Sequence, residues 1–97
     1  MLTMTGGGDV PVVFSGRLDA TQAAAAQAYL DRLDGVVTVD CGDLQYLSSA
    51  GLGVLLKTHK RLLGAGGRLR LTAVNRHLQD IFGYSGFDQI LDIEPGR

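Results

Sequence analysis

The sequence predicts a single α/β domain, in which a mixed sheet of four or five strands carries helices packed chiefly on one face. Short β-branched or alternating runs, at residues 36–40 and 68–73, are typical of strands. Two longer runs, at 21–33 and 49–63, repeat their apolar residues at helical spacing. Short loops join strand, helix and strand, which implies right-handed crossovers and parallel strands. A chain of 97 residues suits one such domain, spanning 1–97.

The N-terminal part is predicted to begin with a hairpin. Residues 2–5 are expected to form an edge strand and residues 6–9 a turn, because three of the four turn residues are glycine. The next strand is predicted at 10–15. Asp19 or Thr21 can then cap the helix that follows.

The first helix is predicted at 21–33, where alanine gives the chain its highest helix propensity. Gly35 stands where a helix usually ends, and the strand at 36–40 follows at once. This strand is expected to be central in the sheet. The predicted inward face of the helix consists of Ala23, Ala26, Leu30 and Leu33.

The second helix is predicted at 49–63, where a pair of serines precedes the apolar run and either one can cap it. The spacing predicts a buried face made of Leu52, Leu55, Leu56, His59 and Leu63. It predicts an outward face made of Gly53, Val54, Lys57, Lys60 and Arg61. The serines thus lie near the carboxyl end of a strand and the positive end of a helix, where open α/β sheets place their sites.

The C-terminal part continues the same alternation. A strand is predicted at 68–73, and Asn75 is expected to cap a short third helix whose inward residues are Leu78, Ile81 and Phe82. A last strand is predicted at 89–93, followed by a tail.

Composition excludes several classes of function. The net charge of −1 argues against nucleic acid as a main partner, since phosphate contacts need a basic surface. No apolar run approaches the roughly 20 residues of a membrane span, and the start lacks the features of a signal peptide. The lone Cys41 favours a reducing compartment. A cytoplasmic location is therefore expected.

The residues do not assemble an enzyme, a metal site or a cofactor site. Ser49 has no predicted base, because His59 is expected to face inward and His77 lies on another helix. Asp40 and Asp43 lack the further ligands that a metal ion requires, so Asp43 is expected to hydrogen-bond its own loop. No acidic residue occurs between positions 44 and 79, and this local basic bias is typical of a solvated face or of a surface for an acidic partner.

The string from Leu47 to Leu56, Leu-Ser-Ser-Ala-Gly-Leu-Gly-Val-Leu-Leu, resembles the signature of STAS domains, specifically of the bacterial anti-sigma-factor antagonists. The segments at 14–19, 39–44, 64–71 and 78–87 resemble further parts of the family pattern in the right order. The resemblance covers roughly residues 10 to 94.

The resemblance implies a switch controlled by phosphorylation. Family members bind a kinase-like anti-sigma factor and so free a sigma factor; the serine kinase phosphorylates them, and a cognate phosphatase reverses this. Ser49 takes the position of the phosphorylated serine, Ser48 that of the usual aspartate, and Ala50 that of the following hydroxyl residue. The expected partner-binding residues are Asp19, Ser48, Ser49, Ala50, Gly51, Gly53, Val54, Lys57 and Lys60, on a monomer or weak dimer.

The sequence is also compatible with other functions. Within the same family, the chain could be an accessory subunit of an ABC-type lipid transporter or a scaffold in a stress complex. From another class, it could be a small-molecule sensor that binds a nucleotide or lipid above the strand ends.

Overall fold

The computed structural model describes residues 1–96 as a five-stranded mixed sheet with three α-helices. The strands are β1 (Leu2–Gly7), β2 (Val10–Leu18), β3 (Val36–Leu47), β4 (Arg68–Val74) and β5 (Asp92–Pro95). The helices are α1 (Ala23–Leu30), α2 (Ser49–Gly64) and α3 (Arg76–Ser85), and a short 3₁₀ helix covers Phe87–Gln89.

The strands lie in sequence order, β1-β2-β3-β4-β5, so β3 is central as the sequence predicts. The β1–β2 pair is antiparallel and the other three pairs are parallel. Along the strands, buried apolar residues such as Phe14, Val39 and Leu71 alternate with half-buried residues such as Ser15 and Thr38. This alternation fits a sheet covered by helices on one face.

Strand β3 is longer than predicted, since it continues from Asp40 to Leu47. Its pairing with β4 ends at Asp40, but its pairing with β2 continues to the pair of Leu18 and Leu47. The expected loop at Asp43 is therefore a strand. The loop contact assigned to Asp43 is made by Asp40, whose Oδ1 accepts from the Gly42 amide at 2.8 Å.

Several other boundaries also differ from the sequence prediction, and three of them matter for the site or the sheet. Helix α1 begins after Gln22, which is its N-cap residue without a side-chain cap bond, so neither Asp19 nor Thr21 is the cap. Strand β2 extends three residues further, to Leu18. The last strand begins at Asp92, because the preceding residues form the 3₁₀ helix.

The buried face of α2 is rotated relative to the predicted one. Leu55, His59 and Leu62 are buried, but so are Val54 and Thr58, which the apolar spacing did not place inside. Conversely, Leu63 is 54% exposed, and Leu52 and Leu56 are half-buried. The predicted burial of Leu63 and the outward position of Val54 are therefore wrong.

The physical reason is that α2 packs against α1 as well as against the sheet. The Nε2 group of Gln27 donates to the Thr58 hydroxyl at 3.1 Å. Arg61 reaches the C-terminus of α1, where its Nη2 donates to the carbonyl oxygens of Leu30 (3.0 Å) and Leu33 (2.7 Å). These bonds satisfy carbonyls left free at the end of a helix. Arg61 thus joins the two helices rather than lying on a solvated face.

Candidate functional site

The two serines at the junction of β3 and α2 have different environments. Ser48 has extended backbone angles and is the N-cap of α2, where its Oγ accepts from the Gly51 amide at 3.2 Å. Its own amide donates to the Leu18 carbonyl of β2 at 3.0 Å, and its carbonyl accepts from the Leu52 amide at 2.9 Å. Three hydrogen bonds therefore hold Ser48 in place, and its hydroxyl belongs to the helix cap.

Ser49 is the first residue of α2 and is exposed. Among residues 1–96, the amides of Ser49 and Ala50 have no hydrogen-bond acceptor. The first turn of α2 contains no acidic side chain. A negatively charged group on Ser49 would therefore meet free amides and the positive end of the helix dipole.

Two glycines of α2 differ in what surrounds them. A Cβ atom at Gly51 would lie 2.7 Å from Leu47 Cδ1 and 2.8 Å from the Leu18 carbonyl oxygen. Gly51 is buried for this reason, and its packing fixes the start of α2 on β2 and β3. A Cβ at Gly53 would meet nothing within 4 Å, so the packing of this domain does not require that glycine.

The exposed face of α2 carries cations without intramolecular partners. Lys57 and Lys60 are exposed, and within residues 1–96 neither has a carboxylate within 4.0 Å. The other cations of the basic segment are paired with Asp or Glu: Arg61, Arg68, Arg70 and Arg76. The unpaired positive charge of this segment is thus confined to two lysines on the same helix as Ser49.

Apolar side chains border the same face. At 100° per residue, Leu52, Leu56 and Leu63 lie within about 60° of Ser49 on the helical wheel. Leu52 packs against the edge of the core, while Leu63 is 54% exposed. The exposed face of α2 therefore combines a leucine stripe, two lysines and the serine; we call it the α2 face, made of Ser49, Leu52, Gly53, Leu56, Lys57, Lys60 and Leu63.

Asp19 lies beside the junction, directly after Leu18. Its Oδ1 accepts from the Thr21 hydroxyl at 2.6 Å and from the Thr21 amide at 3.0 Å. The hydroxyl bond is the main reason why the pKa of the Asp19 carboxyl lies below its usual value. Nearby, the Arg17 guanidinium stacks 4.1 Å from the centre of the Tyr46 ring. Asp19 is therefore held as an anion at the edge of the site.

A groove between α1 and α2 adjoins Ser49. Its volume is about 410 Å³, and its walls are mainly small apolar residues: Ala23, Ala24, Gln27, Ala50, Gly53, Val54 and Lys57. Another cavity, of about 370 Å³, lies at the opposite end of β2 and β3, lined by the β1–β2 turn and by residues around Arg32. Only the first of these two adjoins the predicted site.

The groups with catalytic potential are separated from Ser49. His59 is 5% exposed, on the buried side of α2, and its Nδ1 has no hydrogen-bond partner among residues 1–96. Cys41 is 1% exposed, and burial raises the pKa of its thiol to about 12. No group of three or more His, Cys, Asp or Glu within residues 1–96 is placed to hold a metal ion. Among residues 1–96, no helix combines the length and the apolar character that a membrane span requires.

Comparison with known proteins identifies the family. The chain matches the family model described as "Mlab, STAS domain" over residues 3–92. It is 36% identical over 86 residues to BtrV of Bordetella bronchiseptica, named as an anti-sigma factor antagonist, covering 89% of this chain and 73% of that protein. It is 30% identical over 88 residues to the anti-sigma-B factor antagonist of Bacillus subtilis, covering 88% and 81%.

Solved structures agree with the fold. An anti-sigma factor antagonist from Mycobacterium paratuberculosis superposes with a TM-score of 0.81 at 20% identity, over 98% of this chain and 86% of that one. The phosphorylated form of Bacillus SpoIIAA gives 0.70 at 18% identity, over 96% and 90%. The chain therefore belongs to the STAS domain family. Its curated relatives place it among the anti-sigma factor antagonists of that family, which confirms the resemblance found in the sequence.

The apolar spacing assigns Leu52, Leu56 and Leu63 to the buried face and Val54 to the outward face, whereas the structure buries Val54 and leaves these leucines half-buried or exposed. A usable signal was present, because Val54, Thr58 and Arg61 recur at helical spacing and form the side that meets α1. Single-sequence periodicity cannot say which of two apolar stripes faces the sheet when a second helix also packs on α2.

Proposed function

We propose that this chain is an anti-sigma factor antagonist switched by phosphorylation of Ser49. In the unmodified state it binds a kinase-like anti-sigma factor and so frees a sigma factor. The serine kinase activity of that partner modifies Ser49, and a cognate phosphatase restores it. The role is regulatory rather than catalytic, carried out in the cytoplasm by a monomer or weak dimer. The observation that carries the proposal is that Ser49 is exposed at the start of α2, while the hydroxyl of Ser48 is taken up by the helix cap.

The modified state is expected to keep the fold. A phosphate adds about −1.5 to −2 charges at neutral pH. On Ser49 this charge lies at the N-terminus of α2, where the dipole and free amides favour it by about 0.3–1 kcal/mol. Across an interface, the same charge opposes binding by several kcal/mol when it meets a like charge or prevents burial. The interface effect is the larger, so the modification changes binding and not folding.

Serine at position 48 supports the same geometry as the aspartate usual in the family. Ser and Asp are about equally good N-cap residues, and Ser48 makes the cap bond to Gly51. It does so without a negative charge beside Ser49. A phosphate on Ser49 therefore has no carboxylate immediately before it in the chain.

The α2 face is the proposed docking surface for the anti-sigma factor, together with Asp19, Ser48 and Ala50 at its edge. Half-exposed leucines give such a surface apolar area, and the unpaired lysines give it charge complementarity to an acidic partner. Gly51 and Val54 contribute from beneath, since both are buried and position the exposed residues.

The test is to incubate the purified chain with ATP and each kinase-like anti-sigma factor of its source genome, and to map the modified residue by fragmentation mass spectrometry. The wild type and Ser48→Ala should carry phosphate on Ser49, while Ser49→Ala should carry none and should stay bound. Phosphate on Ser48, or no phosphate with any of these kinases, contradicts the assignment. Co-purification with a transporter ATPase in place of such a kinase would support the transporter alternative.

A further inference from the structure

Gly53 lies inside α2, and no contact within the described part of the domain requires a glycine at this position. Glycine destabilises a helix interior relative to alanine, because it has more backbone freedom to lose. Its backbone is not in the left-handed region, and a Cβ there would meet nothing within 4 Å. Gly51, only two residues earlier, is needed to avoid a clash with Leu18 and Leu47. The open space above Gly53 therefore suits a group that comes from outside the chain.

The groove beside Gly53 has an apolar lining. Val54, at 5% exposure, and the methyl groups of Ala23, Ala24 and Ala50 contribute to it. The Nε2 group of Gln27, which also lines it, is already bonded to Asp31 (2.9 Å) and Thr58 (3.1 Å). The lining therefore favours an apolar side chain over a polar one.

The rim of the groove carries a charge. Lys57 lines the groove, is exposed, and has no carboxylate within 4.0 Å in the described part of the chain. Ala50, which also lines the groove, directly follows Ser49. The groove is thus continuous with the proposed switch site, and its free charge is complementary to an acidic group.

We propose that this groove receives an apolar side chain of the anti-sigma factor, that a neighbouring carboxylate of the same segment pairs with Lys57, and that the backbone of the segment passes over Gly53. This inference rests on the proposed function and extends the partner surface from α2 to α1. It also gives the switch a specific physical cause. A phosphate on Ser49, next to the groove, places negative charge beside the partner's carboxylate and repels it.

The first experiment measures the affinity of the anti-sigma factor that the wild type binds, by calorimetry, for two matched pairs of variants. Gly53→Leu and Ala24→Leu fill the groove and should weaken binding by about tenfold or more, as expected when a packed interface contact is lost. The controls are Gly64→Leu and Ala28→Leu, which carry the same changes at exposed positions outside the groove. They should bind like the wild type. Thermal unfolding of each variant verifies that it is folded.

The second experiment tests the chemistry of the occupant. A photo-crosslinking amino acid at Lys60, which is exposed and lies one helical turn after the groove residue Lys57, should capture a partner segment in which an apolar residue adjoins Asp or Glu. Lys57→Glu should weaken binding, and exchange of that acidic residue for Lys in the partner should restore it. If Gly53→Leu binds as tightly as the wild type, the partner does not occupy the groove. If the charge exchange does not restore binding, no carboxylate of the partner pairs with Lys57. If no anti-sigma factor binds the wild type, the proposed function falls as well.

Discussion

At the residue scale, the different contributions of Ser48 and Ser49 to stability can be measured directly. Ser48→Ala removes the bond to the Gly51 amide and should lower the free energy of unfolding by about 1 kcal/mol, within a range of about 0.5–2. Ser49→Ala removes only an exposed hydroxyl and should change it by less than about 0.5 kcal/mol. Urea denaturation of both variants gives the comparison. Equal losses in the two would show that Ser48 is not the cap that matters.

Cys41 gives a second prediction at this scale, in its dependence on pH. Burial raises the pKa of the folded thiol from 9.0 to about 12, so the folded state keeps its proton where the unfolded state has lost it. The stability that comes from this difference is fully present below pH 9.0 and is lost as pH rises towards about 12. The wild type should therefore lose more stability than Cys41→Ala between these pH values, as followed by urea unfolding. If the free energies of unfolding of the two proteins fall equally with pH, the prediction is wrong.

At the scale of single elements, the two glycines of α2 should respond in opposite directions to the same change. Gly53→Ala improves helix propensity without a clash and should raise the free energy of unfolding by about 0.5–1 kcal/mol. Gly51→Ala places a methyl group against Leu18 and Leu47 and should lower it by about 1–3 kcal/mol. Denaturation curves of this matched pair decide the matter, and stabilisation by Gly51→Ala would contradict the packing described for the start of α2.

The rotated buried face of α2 leads to a further prediction, for two leucine variants. Leu55→Ala removes a side chain that is 1% exposed and should lower the free energy of unfolding by about 2–5 kcal/mol. Leu63→Ala, at 54% exposure, should change it by no more than about 0.5 kcal/mol. Chemical denaturation is again the measurement. A large loss at Leu63 would return this residue to the core, as the sequence alone had suggested.

The elements of this chain were largely predictable, because their signals are local. The β-branched run at 36–40 and the cap at Asn75, which accepts from the Leu78 amide at 2.9 Å, can be read without knowledge of the fold. The face of α2 could not be read in this way. Thr58 is buried where α1 packs on α2, and Gln27 of α1 donates to its hydroxyl. Arg61 is held by the end of α1, so both contacts depend on how the two helices meet. The same holds for β3 after Asp40, which is a strand only because β2 continues beside it.

At the scale of the whole molecule, the two free lysines should act on the rate at which the partner is found. Lys57→Glu combined with Lys60→Glu should slow association with the anti-sigma factor and weaken its dependence on salt, because favourable long-range attraction is lost. The melting temperature should stay nearly constant, since both side chains are exposed. Stopped-flow association at several salt concentrations measures the effect.

The matched control for this prediction is Arg32→Glu, a charge reversal at an exposed residue near the other end of β2 and β3. It should affect association much less than the double variant. If the double variant binds as fast as the wild type at low salt, the lysines belong to an ordinary solvated face.

Gly51 packs directly against Leu18 and Leu47, and the Ser48 amide donates to the Leu18 carbonyl. These contacts affect how long a signal lasts. A junction held in this way has little freedom to adopt a second shape when Ser49 gains or loses a phosphate. In the proposed switch, the domain therefore keeps one shape in both states and can bind its partner as soon as the phosphate is removed. In that switch, the turnover of the kinase and of the phosphatase sets the duration of the response, because the domain itself adds no slow conformational step.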